Sequence, residues 1–196
     1  MAKVAGTESW GTYHINANLA EYEIARSNFF TLIVEGLNDL VKSDFALEEV
    51  TEDDIIQDAQ EIIKLSVTKS SVPHFAISPI EIRRSNSVTK YAGNPTFDAG
   101  TIEVQDYIGL DTKSVLMAWQ AQAYDVVNDR GGRASNYKHN CTLVELTQDG
   151  QEIREWELIG CWISDITEDE FDLTADGDRK ISATIQYDRA VMHLPD

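Results

Sequence analysis

Apolar residues alternate with polar ones along much of the chain, and this pattern predicts about eight strands. Successive side chains of a strand point to opposite faces, so alternation is typical of a sheet with one dry and one wet face. Ile181, Ala183 and Ile185, separated by Ser182 and Thr184, show it clearly. The predicted strands span residues 28–35, 61–70, 79–84, 87–91, 101–107, 141–147, 152–163 and 180–188.

Turn-forming residues divide these strands into hairpins. Asp149 and Gly150 lie between strands 141–147 and 152–163, where an Asp-Gly pair favours a tight hairpin. Ser85 and Asn86 connect strands 79–84 and 87–91. The run Gly93-Asn94-Pro95 is expected to end the second of these strands.

One segment has helical rather than strand periodicity. Leu116, Trp119, Ala123 and Val126 recur at spacings of three and four, which predicts a helix over residues 112–127 with a single apolar stripe. Asp111 is its expected N-cap. Because strands flank this helix in the sequence, we expect its stripe to cover one end or face of a sheet.

The elements together predict a single domain over residues 1–196, mainly β, built as a β-sandwich or barrel with one main α-helix. Residues 1–26 contain aromatic residues but no clean period, and are interpreted as an N-terminal arm. Residues 37–59 form a long acidic connection with a short predicted helix at 52–57. Connections of this length are often functional.

The chain is strongly acidic, with 34 Asp and Glu against 16 Lys and Arg and a formal net charge of −18. Proteins that grip nucleic acid neutralise phosphates with clustered basic residues, so sequence-specific DNA binding is disfavoured. Cys141 and Cys161 lie in apolar contexts and are expected to be reduced. No apolar run is long enough for a transmembrane helix, so no membrane insertion by this chain is expected.

No catalytic, cofactor or metal motif emerges from the sequence. The four histidines are scattered, without the spacing that zinc needs. Asp172, Thr174 and Asp176 imitate the start of a calcium loop, but its twelfth position is Ala183 instead of a bidentate Glu. The loop around Arg130 and Arg133 follows a predicted helix and lacks the phosphate-loop pattern. We therefore expect no enzymatic activity, no cofactor and no metal.

Five segments in series resemble the tail tube proteins of contractile-tailed phages, relatives in fold of the ring-forming tube proteins of bacterial injection machines. Each match alone is weak, and their order and spacing over about 100 residues make the resemblance. The segments are Phe97 to Val104, Met117 to Gln120, Asn136 to Cys141, Trp156 to Ile163 and Lys180 to Asp188.

The resemblance implies hexameric rings in which each subunit lends strands to a 24-stranded inner barrel, with rings stacked helically inside a sheath. It implies a location in the virion tail after assembly in the host cytoplasm. The implied partners are further copies of the chain and the tail sheath, baseplate and tail-terminator proteins, with DNA passing through transiently. The arm and the 37–59 connection would then contact adjacent rings.

If copies of the chain form a tube around DNA, some acidic side chains are expected to line its inner wall. Glu81, Glu103, Glu145 and Glu155 are candidates to line the lumen, where they would repel passing DNA. The alternative is that they lie outside and serve solubility. Two other functions share some of these features: a secreted ring or baseplate-hub protein of a contractile injection system, and a monomeric small-molecule-binding β-barrel.

Overall fold

The computed structural model describes residues 24–37, 59–107, 112–171, 174 and 177–194. In these residues the helices are α1 (Ala59–Ser66), α2 (Thr112–Ala123) and the single turn α3 (Ala134–Tyr137). The strands are β1 (Phe30–Val34), β2 (Val67–Ser70), β3 (Phe75–Arg84), β4 (Ser87–Phe97), β5 (Gly100–Gln105), β6 (Tyr124–Asp125), β7 (Arg130–Gly131), β8 (His139–Leu146), β9 (Glu152–Glu168), β10 (Lys180–Gln186) and β11 (Arg189–His193).

Several predicted features fall outside the described residues. They are most of the 1–26 arm, most of the 37–59 connection, the predicted helix at 52–57, the proposed N-cap Asp111, and parts of the calcium-like segment.

The long strand β9 organises the main sheet. Its first half pairs with β8 on one side and β11 on the other, and its second half pairs with β10. The sheet continues outward to β1 beyond β8, and to β5 and β2 beyond β10, with every pairing antiparallel. Gly160, with a φ of +72°, lies where β9 changes partner from β11 to β10. The seven strands therefore form one sheet that does not close into a barrel.

The hydrophobic core lies between the inner face of this sheet and the two longer helices. Trp119 and Leu116 of α2 and Ile63 of α1 are almost fully buried there against Val104 and Ile181. Burial of a large apolar side chain contributes about 1.5–3 kcal/mol, so these residues supply much of the stability. A hydrogen bond of 3.0 Å between the buried hydroxyls of Ser66 and Thr112 joins α1 to α2.

The mainly β fold, the main helix and both predicted hairpins are confirmed. Residues 149–150 do form the turn between β8 and β9, where Gly150 takes a φ of +80°. Ile102 and Val104 point into the core while Glu103 points away, as the alternation predicts. Both strands of the 79–91 hairpin are longer than expected, and β9 continues five residues beyond Ile163.

The prediction of a strand over 61–70 is wrong for its first half, which is helix α1. Ala59, Ile62, Ile63 and Ser66 are buried at the i, i+3, i+4, i+7 positions of a helix, whereas Leu65 is 62% exposed. The strand prediction followed the alternation of Ile63, Leu65 and Val67 and overlooked this helical spacing of buried residues. Residues 61–66 fit both the period of a strand and the period of a helix. Packing of this segment against β1 and α2 selects the helix.

Three further boundaries differ from the predictions. Helix α2 ends at Ala123, because residues 124–131 turn back as a short β6–β7 hairpin, so Val126 is not part of the helix stripe. Gly93, Asn94 and Pro95 lie inside β4 and do not end it; Gly93 and Asn94 form a bulge opposite Ser78, between the Ile77–Pro95 and Pro79–Ala92 pairs. The chain after residue 188 forms a strand, β11, that the sequence patterns did not indicate.

Candidate assembly surfaces

The β3–β4 hairpin is a separate two-stranded sheet that extends from the main sheet. Its strands pair only with each other in the part of the chain that the structure describes. Aromatic contacts anchor its base: Phe75 and Phe97 are tilted with ring centroids 5.7 Å apart, and Phe97 and Tyr187 meet edge to face with centroids 6.2 Å apart. Every residue of β3 is exposed. An isolated hairpin with so much exposed backbone has little stability of its own in water.

The outer half of the hairpin has one apolar and one charged face. Ile80 pairs with Tyr91 and Ile82 with Thr89, so the isoleucines and Tyr91 share a face; Ile80 and Tyr91 are 54% and 55% exposed. Glu81 and its neighbour Lys90, 3.2 Å apart, lie on the opposite face. This confirms the predicted separation of Ile80 and Ile82 from Glu81. The apolar face has no partner among the described residues.

The bulge in β4 sets the shape of the hairpin. A methyl group at Gly93 would lie 2.4 Å from the carbonyl oxygen of Ser78, so only glycine allows the two strands to approach this closely. Pro79 and Pro95 lie inside the strands, and proline within sheets is confined to edges and bulges. These prolines are a sequence signal that both strands are edges.

The main sheet also ends in unpaired edges. β1 lies beyond β8 at one end of the strand order, and β2 lies beyond β5 at the other. β11 pairs with β9 along one side only in the described chain. Unpaired strand edges present backbone donors and acceptors to any strand of another chain. The described structure therefore offers several places where copies could join their sheets.

The four candidate lumen residues lie on three different parts of the molecule. Glu81 is on the hairpin, and Glu155 is on β9 with Val144 and His193 as its cross-strand neighbours. Glu103 and Glu145 line one open cavity of about 780 Å³, together with Lys69, Lys180 and Phe30. The subunit thus brings two of the four together, and their position relative to a lumen stays a prediction.

Three of these four carboxylates have basic partners. Glu103 lies 2.7 Å from Lys69, Glu145 lies 2.9 Å from Arg154, and Glu81 pairs with Lys90. Glu155 forms no ion pair with any residue that the structure describes. These exposed pairs contribute little stability, but each cancels local charge. Sequence reasoning identified the acids and missed their partners.

Side-chain hydrogen bonds join the main helix to β9 near its N-terminus and to α3 farther along. Near its N-terminus, Lys113 donates to Glu168, which also accepts from Arg179. The hydrogen bond from Lys113 and the charges of Lys113 and Arg179 lower the pKa of the Glu168 carboxyl. Farther along, Trp119 Nε1 donates to the carbonyl oxygen of Tyr137 at 3.2 Å. Helix α2 therefore has a fixed position against β9.

The predicted helix stripe is buried only in part. Leu116 and Trp119 are buried, Ala123 is half-buried at the last residue of α2, and Val126 is 82% exposed beyond its end. Val115 and Ala118 are buried as well and were missed, because α2 contacts both the sheet and α1.

Catalytic or metal chemistry finds no support among these residues. No group of three or more His, Cys, Asp or Glu in the described ranges could hold a metal ion. Cys141 and Cys161 are free thiols in the core, where the hydrogen bond to Cys161 and burial raise the pKa of Cys141 far above its usual value. Such thiols are inert. No described helix has both the length and the apolar character to cross a membrane.

Comparison with known proteins identifies a family. The model of the T4-like virus tail tube protein gp19 family matches residues 47–189. Tail tube protein gp19 of Enterobacteria phage T4 is 25% identical over 105 residues, which cover 53% of this chain and 64% of that protein. The match thus spans less than two thirds of that relative.

Solved structures share the fold. A chain of the sheath-tube complex of an extracellular contractile injection system, PVC in its extended state, aligns with a TM-score of 0.62 at 14% identity, covering 94% of this chain and 99% of that one. The tube-terminating cap of the anti-feeding prophage aligns with a TM-score of 0.59 at 12% identity, covering 88% and 92%.

Proposed function

This chain belongs to the T4-like virus tail tube protein gp19 family, which makes it a structural protein and not an enzyme, and we propose that its copies form hexameric rings that stack into a hollow conduit for DNA. Each subunit would add strands to a common inner barrel of 24 strands. A barrel with that many strands encloses a water-filled channel. The proposal places the protein in the virion tail, after assembly in the host cytoplasm.

The observation that carries this proposal is the apolar face of the β3–β4 hairpin. Ile80, Ile82 and Tyr91 are exposed on a hairpin that has no partner in the described subunit. A contiguous exposed apolar face of this kind marks a contact with another protein. In an assembly of identical chains, that contact is a neighbouring copy.

The unpaired strand edges support the same arrangement. Strands β1, β2 and β11 each leave one edge unpaired among the described residues. Joining these edges between copies would satisfy their backbone groups and remove the risk of uncontrolled pairing. The ring is therefore the state in which the fold is complete.

We propose that the acidic residues keep the lumen from retaining DNA. Glu155, which has no basic partner among the described residues, is the strongest of the four candidates, because its charge is not cancelled locally. At a Debye length of about 8 Å, such a charge acts on DNA near the wall and weakly on DNA at the axis. Transit would then need no specific protein–DNA contact.

The partners proposed are the tail sheath, the baseplate and a tail-terminator protein. The solved structures with the same fold come from a sheath-tube complex and a tube-terminating cap, which agrees with such partners. The arm at 1–26 and the connection at 37–59 are proposed to contact adjacent rings. A segment of about 23 residues is long enough to bridge neighbouring subunits.

The test is electron microscopy of the purified protein and of an Ile80→Ser, Ile82→Ser variant. We expect rings or rods from the unchanged protein and their loss in the variant. The control is Glu81→Gln with Lys90→Gln, which changes the opposite face of the same hairpin and should still assemble. Single rings that never stack would instead indicate a secreted ring or hub protein. A monomer with sheets closed within one chain would overturn the proposal.

A further inference from the structure

The first half of β9 belongs to a four-stranded unit, here called the β1–β11 sheet. Its strand order is β1, β8, β9 and β11, and each neighbouring pair is antiparallel. The outer strands β1 and β11 have five residues each. Neither of them pairs on its far side with any strand that the structure describes. The β1–β11 sheet therefore ends in two edges of equal length.

The other half of the main sheet is covered at one end. Its order is β2, β5, β10 and the second half of β9. Helix α2 runs beside that part of β9, because Lys113 donates to Glu168 at 3.0 Å and Gln120 Nε2 donates to the carbonyl oxygen of Ser164 at 3.5 Å. Covering an edge with a helix is one of the ways in which proteins prevent further pairing. A strand of another chain would have to displace α2 there.

The directions of the strands decide how the β1–β11 sheet can continue. Directions alternate across its four strands, so β1 and β11 run in opposite directions. Copies in a ring with rotational symmetry all have the same orientation relative to its axis. The β11 of one copy would thus lie antiparallel to the β1 of the next, as every pair within the sheet already does. An odd number of strands would give a parallel joint and interrupt this pattern.

The β11 edge leaves part of the core face uncovered. Ala190 and Met192 lie on one face of β11, opposite Leu158 and Trp156 of β9. Ala190 and Trp156 pack against the hydrophobic core, whereas Met192 is 46% exposed. Apolar side chains on one face of a sheet are stabilised by neighbours on the adjacent strand. A further strand beside β11 would supply the neighbour that Met192 lacks in the described subunit.

The β1 edge has the composition that such a neighbour needs. Leu32 and Val34 are buried on its core face, and Phe30 packs against the same core. β1 contains no charged residue, so Arg189 and His193 of an adjacent β11 would meet no like charge on it. Pairing of β1 with β11 would therefore join two core faces without placing a charge against them.

We propose that β11 of one copy pairs with β1 of the next, so that each subunit contributes β1, β8, the first half of β9 and β11 to the inner barrel. The inference rests on the proposed tube function, since it names the strands that build the tube wall. A barrel of 24 strands in a hexameric ring takes four strands from each copy, and the β1–β11 sheet has four. Its two edges are different surfaces, so the contact is head-to-tail and closes by rotation.

This pairing also assigns the face that lines the channel. The core face of the β1–β11 sheet packs inside the subunit, so the opposite face meets the lumen. Glu155 and Glu157 lie on that opposite face, because they alternate with core residues along β9. Glu81 and Glu103 belong to strands outside this sheet, and Glu145 borders the open cavity. Glu155 and Glu157 are therefore the acids of β9 that face DNA.

The test is a cross-link between the two edges. Thr31→Cys with Val191→Cys puts one thiol on the lumen face of each outer strand, and Ile33→Cys with Val191→Cys samples the adjacent register. Directly opposed residues of an antiparallel pair are close enough for a disulfide. Oxidation of assembled rings by diamide, which takes two electrons and two protons from each thiol pair, should give covalent oligomers up to the whole ring on non-reducing gels.

Control variants separate this pairing from other contacts. Each single-cysteine variant, and Thr31→Cys with Ser182→Cys on β10, should stay monomeric on the same gels. If neither register gives covalent oligomers in rings that form, or if the link closes within one chain, the inference is overturned while the tube proposal stands. If the unchanged protein forms neither rings nor rods, both fail.

A second test uses two methionines of equal exposure. Met192 on β11 and Met117 on α2 are both 46% exposed. Met192→Glu should raise the concentration needed for ring formation by about tenfold or more, because it places a charge against the core face of the joint. Met117→Glu makes the same change away from both edges and should assemble normally. Sedimentation velocity measures assembly, and thermal unfolding verifies that each variant folds. Equal effects of the two substitutions would overturn the pairing of β11 with β1.

Discussion

The α-carbon of Gly160 faces the carboxylate of Asp188 so closely that a methyl group on Gly160 would lie 2.6 Å from Oδ2 of Asp188. The backbone N–H of Asp188 also donates to the carbonyl oxygen of Ile159 at 2.9 Å. These contacts lie where β9 passes from β11 to β10. The change of pairing partner along β9 therefore takes place at a glycine in a left-handed conformation.

Substitution of Gly160 by Ala should reduce the free energy of unfolding by about 2–3 kcal/mol, because it adds left-handed strain to a steric clash. Gly150→Ala is the matched control, since Gly150 has a φ of +80° with open space around it, and should cost about 1 kcal/mol. Denaturation by urea measures both. If Gly160→Ala and Gly150→Ala lowered the free energy of unfolding equally, the contact with Asp188 would have no role in stability.

The buried hydroxyl pair between α1 and α2 offers a second test. Ser66→Ala should destabilise the protein by about 1–2 kcal/mol, because it leaves the buried Thr112 hydroxyl without its partner. Adding Thr112→Val removes the unpaired group and should recover much of the loss. A double-mutant cycle measured by denaturant unfolding gives the coupling. Additive effects would show that the two hydroxyls act independently.

Stability should depend on pH through Glu168. Its pKa is lowered in the folded state, so its contribution is fully present above the pKa of the unfolded chain, near 4.3, and is lost as pH falls through the lower folded value. The unchanged protein should therefore exceed Glu168→Gln in melting temperature at pH 7, and the two should converge as the pH falls through the lowered pKa of Glu168.

Glu152→Gln is the control for this titration, because Glu152 is exposed at the start of β9. It should change the melting temperature little at either pH. The melting temperatures of Glu168→Gln and the unchanged protein could still differ in acid. That result would show that the stabilising contact does not depend on the ionised carboxylate of Glu168.

The core thiols should be unreactive while the protein is folded. The hydrogen bond to Cys161 and burial raise the pKa of the Cys141 thiol well above its usual value, and the thiolate is the reactive form. A disulfide-exchange reagent at pH 8 should label neither cysteine in the folded protein and both in guanidinium chloride. Rapid labelling of the folded state would indicate that strands β8 and β9 open locally.

Charge on the proposed lumen should affect DNA passage. Reversal of the four candidate acids to Lys should slow DNA ejection, and Glu155→Lys alone should act most strongly for one residue, because Glu155 has no basic partner in the described structure. Ejection from purified particles, followed by dye binding to released DNA, measures the rate. Unchanged ejection from reversed tubes that assemble normally would refute the proposal.

The sequence by itself determined the elements whose pattern is unambiguous. Alternation over Lys180–Gln186 and Gly100–Gln105, the Asp149-Gly150 turn and the apolar stripe through Trp119 correspond to strands, a hairpin and a helix in the structure. The same patterns, with the order of five segments, led to the correct family. The spacing of apolar residues is enough to predict a helix or a strand where one of the two periods clearly dominates.

Tertiary structure decided the rest, because the remaining signals were ambiguous or nonlocal. Residues 61–66 carried both a strand and a helix period, and packing against β1 selected the helix. Ile80 is exposed because no part of the described chain packs on that face of its hairpin, and no local pattern encodes this. The partners of Glu103 and Glu145 lie 34 and 9 residues away, and only the folded sheet brings these charges together.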